Sequence, residues 1–134
     1  MENTDTSWKG NCYRNAVDFI EGGYKKFPDI NPDELRIVHG KVMGHGKENA
    51  GHIIVHAWVE DNNFCYDHNG RTNNVEQVAK IIYYTLGRIQ IVETKRYTRQ
   101  QMYEHLTEVE HCGPWDAGLL VHARNEHGSI YKED

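Results

Sequence analysis

Gly51-His52-Ile53-Ile54-Val55-His56-Ala57-Trp58-Val59-Glu60 is the stretch whose reading decides the fold. It is dense in Ile and Val, and β-branched residues suit a strand. Side chains two apart on a strand share a face. His52, His56, Trp58 and Glu60 therefore share one face, and Ile53, Val55, Ala57 and Val59 share the other, which is expected to meet the core. Asp61-Asn62-Asn63 is a turn signal. Residues 64–67 form a short return strand that ends at His68-Asn69-Gly70, so the two runs make a hairpin.

The flanking sequence fills in around this hairpin. Residues 36–43 carry Ile37, Val38, Val42 and Met43 and read as a further strand, joined to the hairpin by a polar, glycine-containing connection over 44–51. Residues 12–26 place Tyr13, Ala16, Val17, Ile20 and Tyr24 at helical spacing, with Asn11 as a candidate N-cap and Pro28 as a stop. Residues 75–86 are helical by period, through Val75, Val78, Ile81, Ile82 and Leu86, and Gly87 suits the C-cap. Residues 89–94 read as a strand and residues 98–109 as a helix capped by Thr98. Residues 119–121 fit either a short edge strand or core-packing coil. A leading helix, a mainly antiparallel run of strands and helices segregated from them make an α+β domain.

The 134 residues suit one domain, residues 1–134, and a chain this long buries roughly two thirds of its unfolded surface. Hydrophobic residues at 38% and charged residues at 26% are ordinary globular values. A net charge of −5, with no run of Lys or Arg, argues against nucleic acid as a partner. No stretch has the roughly 18 consecutive apolar residues of a membrane helix, and the polar, acidic residues 1–9 do not read as a signal peptide. Three cysteines, Cys12, Cys65 and Cys112, without framework spacing read as free thiols, which points to a cytoplasmic protein.

Three short pieces carry chemistry. Cys12 opens a helix, where the dipole favours a thiolate, and Gly10 lets a substrate backbone come close. The Cys12 amide also lies where an oxyanion can be held. His56, held mid-strand beside Trp58, titrates near neutrality and can take a thiol proton. Asp67 returns across the hairpin toward His56 and can fix its tautomer, with His68 or Asn69 taking that role if the register slips. Nine histidines raise metal binding as a rival, with His52, His56 and Cys12 as the available ligands. The sequence has no H-E-x-x-H, C-x-x-C or zinc-deaminase pattern, so no metal site is expected. Gly-rich phosphate loops are absent as well.

Gly10-Asn11-Cys12 with Ala16, then His56-Ala57-Trp58-Val59-Glu60, then Tyr66-Asp67 resemble papain-like and, more closely, transglutaminase-like cysteine proteins. The similarity runs from Gly10 to Asn69, about half the chain. It implies a cysteine-bearing N-terminal helix packed on a mainly antiparallel sheet. It also implies Cys12 as nucleophile, His56 as general base and acid, and Asp67 as the orienting residue. The implied chemistry is acyl transfer without a cofactor: peptide or amide hydrolysis, deamidation or transglutaminase-like crosslinking of a protein or peptide substrate. The rival is a non-catalytic binding or inhibitor protein on the same fold. Trp8, Asn15, His39, His52, Trp58 and Trp115 are candidates to line the cleft, and Asn3, Ser7, Trp8 and Asn15 are candidates for a second oxyanion donor. Larger family members build their clefts from long insertions, for which this chain has little room.

Overall fold

The computed structural model describes residues 12–44, 50–69, 72 and 74–127. The hairpin read from the sequence is β2 (Ile53–Glu60) followed by β3 (Phe64–Asn69). The Asp61 carboxylate accepts from the amides of Asn63 and Phe64, which closes the turn between them. Ahead of the hairpin come α1 (Cys12–Glu21) and β1 (Arg36–Met43). After it come β4 (Asn74–Ala79), α2 (Lys80–Leu86), β5 (Lys95–Tyr97), α3 (Arg99–Val109) and α4 (Ala117–His127). The described strands form one antiparallel sheet in the order β4-β3-β2-β1-β5. The α+β class and the leading helix are as the pattern predicts.

Both faces of the sheet are covered. α1 buries Tyr13, Ala16, Val17, Phe19 and Ile20 against Ile37, Val55, Ala57, Val59 and Tyr66. This is the 3.6-residue stripe of an amphipathic helix laid on the alternate residues of three strands. The opposite face holds Val38, Val42, Trp58 and Cys65, with Tyr83 and Tyr84 of α2 packed on it. The face carrying His56, Trp58 and Glu60 is thus a second core rather than an open one. Trp58 and Glu60 are each 1% exposed.

Several elements differ from the periodicity. The helix expected over 75–86 is a strand up to Ala79 and a helix only from Lys80. Six residue pairs from Phe64↔Ala79 to Asn69↔Asn74 tie β4 to β3, and strand pairing overrides a local helical period. Ile81, Ile82 and Leu86 accordingly point outward, and the tyrosines point in. Residues 89–94 hold a 3-10 turn at Ile91–Glu93 in place of a strand, and β5 follows it to pair with β1. Residues 119–121 lie inside α4, where Leu119 and Ala123 bury one helical face. The first helix stops at Glu21 and is followed by a 3-10 turn, Gly23–Lys26. Asn11 lies outside the described residues.

Glu60 fixes the second face. Its buried carboxylate accepts from Trp58 Nε1 at 3.0 Å and from Tyr84 OH at 2.7 Å. It also pairs with Lys80 Nζ at 2.8 Å and Arg96 Nε at 3.1 Å. Burial pushes the Glu60 pKa up, but these donors outweigh burial and hold it below the ordinary carboxylate value. Glu60→Ala is expected to cost about 3 kcal/mol, because α2 and β5 lose their common anchor and two cations lose their partner. Denaturant unfolding measures this, and a loss below about 1 kcal/mol would show the cluster to be incidental.

Candidate active site

Pairing between β2 and β3 is confined to Val59↔Tyr66 and Glu60↔Cys65, although both strands run on beyond it. Continued in register, the ladder would bring Trp58 opposite Asp67. Its interruption leaves room between the strands, and the first residue of α1 faces that room. A small pocket, about 220 Å³ including its open mouth, is lined there by Cys12, Asn15, Phe19, Tyr66, Asp67 and His68 among others.

His56 Nε2 lies 2.8 Å from Asp67 Oδ2 and 3.1 Å from Oδ1. Cys12 lines the same pocket as Asp67, close enough to the imidazole to act on it electrostatically. Trp58 stacks beside the ring at 6.3 Å and 25°. Burial alone would lower the His56 pKa. The charge of Asp67, then a push from Cys12 and the ring's hydrogen bond to Asp67, outweigh burial and hold it well above 6.5. Of the three side chains singled out from the sequence, His56 and Asp67 are in hydrogen-bond contact, and Cys12 lines the pocket beside them. Asn69 instead donates to Glu76 at 2.8 Å.

The other candidates are distributed differently. Asn15 lines the pocket one turn along α1 from Cys12. Trp58 lies in the pocket wall but is a core residue. His52 is exposed, just before β2. Trp8, Asn3 and Ser7 lie outside the described residues. His39 and Trp115 are not in the pocket. They belong to an aromatic cluster, with His39 edge-on to Tyr13 at 5.1 Å and tilted against Trp115 at 4.8 Å. Trp115 in turn stacks on His105 at 4.8 Å and 9°. His39 is wholly buried and neither ring nitrogen has a hydrogen-bond partner. Burial, with smaller pushes from His105, His56 and His111, lowers its pKa to about 3. Among the described residues, no three His, Cys, Asp or Glu side chains gather to hold a metal.

A scan against protein-family models, a search of curated proteins and a search of solved structures each found no match. What the site can do is therefore decided by its own geometry.

Two of its features were not singled out from the sequence. Tyr83 OH donates to Asp67 Oδ2 at 2.6 Å, and Cys65 lies buried beside Glu60. Burial, then the Glu60 charge, pushes the Cys65 thiol far above its ordinary pKa, which leaves it unreactive. A helix assignment that began at Val75 hid Tyr83 by turning the wrong side of α2 inward.

The two histidines predict opposite pH limbs. His56 binds its proton more tightly folded than unfolded, so its contribution to stability is full below pH 6.5 and is lost as pH rises through its elevated folded value. His39 stays neutral when folded, so stability falls as pH drops from 6.5 toward 3, with a slope of up to about 1.4 kcal/mol per unit. Proton NMR should place the His56 midpoint well above 6.5, and Asp67→Asn should bring it down. His39→Leu should flatten the acid limb of the unfolding free energy. A wild-type His56 midpoint at or below 6.5 would contradict the ion-pair geometry.

Proposed function

We propose that this protein is a thiol-dependent acyl-transfer enzyme of papain-like or transglutaminase-like design, acting on an amide carbonyl of a protein or peptide. The observation that carries this reading is a single imidazole held by Asp67 through Nε2, with Cys12 beside it at the start of a helix.

The chemistry follows from that arrangement. His56 takes the Cys12 proton, giving a thiolate–imidazolium pair that Asp67 and the start of α1 both favour. The thiolate attacks the carbonyl carbon. A C–S bond forms and the carbonyl π pair moves onto oxygen. The first amides of a helix have no acceptor within it, so the Cys12 N–H is the group to hold this oxyanion. Asn15, on the pocket wall, supplies a side-chain amide within the same space. Collapse of the intermediate breaks the C–N bond, whose electron pair leaves on nitrogen. That nitrogen takes the proton from His56, and the acyl group stays on sulfur. Water or an amine then repeats the sequence in reverse.

At about pH 6.5, iodoacetamide should alkylate Cys12 roughly tenfold faster than Cys65 or Cys112. Cys12→Ala should keep the melting transition and lose all acyl transfer, because the thiol is only partly buried, lining the pocket at the margin of the core. Incubation with amide or thioester substrates, followed by peptide mass spectrometry, should locate the acyl adduct on Cys12. Equal labelling of the three thiols, or Cys112 labelled first, would overturn the assignment. Fast labelling of Cys12 without any acyl adduct would favour a binding protein on the same fold.

A further inference from the structure

Tyr83 lies on the side of α2 that faces the sheet, and the acyl-transfer steps above make no use of it. Its hydroxyl donates at 2.6 Å to Asp67 Oδ2, the same oxygen that lies 2.8 Å from His56 Nε2. Its ring packs on Trp58 at 5.3 Å, and Trp58 stacks on His56. The hydroxyl thus shares one Asp67 oxygen with His56. Burial, then the Asp67 charge and hydrogen bond, hold the Tyr83 hydroxyl well above its ordinary value of 10, so it remains a donor throughout the neutral range.

The Asp67 carboxylate passes through two situations in one turnover. While His56 is an imidazolium, the positive ring compensates the carboxylate. When the tetrahedral intermediate collapses, the C–N pair leaves on nitrogen, the nitrogen takes the imidazolium proton, and His56 becomes neutral. The carboxylate then stands half-buried beside a neutral ring, its side chain only 24% exposed. A carboxylate short of donors in that position holds back the proton transfer, because it is stabilised by keeping His56 charged.

We propose that Tyr83 is a positioning residue that keeps Asp67 supplied with a hydrogen bond at the moment His56 gives its proton to the leaving group. The role rests on the acyl-transfer reading of the same site. It predicts a direction that a purely structural role does not. Removing the hydroxyl leaves Asp67 more dependent on the imidazolium, so His56 becomes harder to deprotonate. Simple loosening of the site would instead release His56 toward 6.5. Among the described residues, the titratable groups acting on the pair are Cys12 from α1, His39 from β1, Asp67 and Cys65 from β3, and Tyr83 itself from α2; His68 lines the same pocket and Glu76 of β4 is paired opposite Asp67. His39 is neutral and Cys65 a thiol near neutrality, so neither adds a charge that masks the effect.

The experiment is a double-mutant cycle read by NMR titration of the His56 ring. Tyr83→Phe, which keeps the aromatic packing, should raise the His56 midpoint by about half a pH unit, a roughly threefold change in proton affinity. It should lower kcat about three- to tenfold with little change in KM. In an Asp67→Asn background, the same substitution should leave the midpoint where it is. A midpoint that falls in Tyr83→Phe, or that moves equally in both backgrounds, overturns the proposal. If Tyr83→Phe does not fold, 3-fluorotyrosine at position 83, a stronger donor, should lower the midpoint, and a rise or no change overturns the proposal equally. The enzyme reading fails separately: wild-type protein that shows no acyl transfer at Cys12 while the titration cycle behaves as expected marks a failure of that reading and not of the Tyr83–Asp67–His56 coupling.

Discussion

A carboxylate buried at the end of the central strand governs the placement of everything on the second face of the sheet. Glu60 is closed off from water and satisfied by donors from its own strand, from α2 and from β5. Left without them it would be a costly buried charge, so the two outer elements are held to it by necessity. Lys80 also donates to the carbonyl of Asp61, which ties the start of α2 to the hairpin turn. Arg96 bridges the carboxylate to Thr94 and to the Tyr84 hydroxyl. With α2 set by these bonds, Tyr83 arrives over Asp67 and Trp58 is sealed beneath it.

On the other face, α1 is aimed by ordinary burial. Phe19 stacks on Tyr66 at 5.1 Å and Tyr13 meets His39, which sets the helix across β1, β2 and β3. The helix start then falls where β2 and β3 no longer pair. A sheet that kept its ladder through Trp58 and Asp67 would leave no space for a thiol between the strands. The proposed chemistry thus depends on a local loss of pairing, compensated by packing on both faces.

Much of this was legible from the residues. The Ile/Val alternation of 53–60 marked the central strand, the Asp61-Asn62-Asn63 turn marked its partner, and Tyr13, Ala16, Val17 and Ile20 marked the helix, because each depends on local pattern. The contact of His56 with Asp67 followed from strand parity and hairpin direction. What escaped depends on long-range pairing. Val75 and Val78 fit a helix in isolation and become strand residues only beside β3. That error turned Ile81 and Ile82 inward, and so concealed both tyrosines and the cover over the His56 face. Likewise nothing local distinguishes a cleft-lining His39 from one enclosed by Tyr13, Tyr97 and Trp115, three rings contributed by separate parts of the chain.

Tyr83 and Tyr84 are neighbours in one short helix, yet each hydroxyl meets a different carboxylate, Asp67 and Glu60. The helix is a yoke between a pair of acids that differ in purpose. Lys80 and Arg96 are thereby linked to His56 through the helix that carries Tyr83, by way of Glu60 and Asp67. A lineage that altered the chemistry of this thiol would have to re-tune the interior on the far side of α2 as well, and the order in which such substitutions accumulate would be constrained.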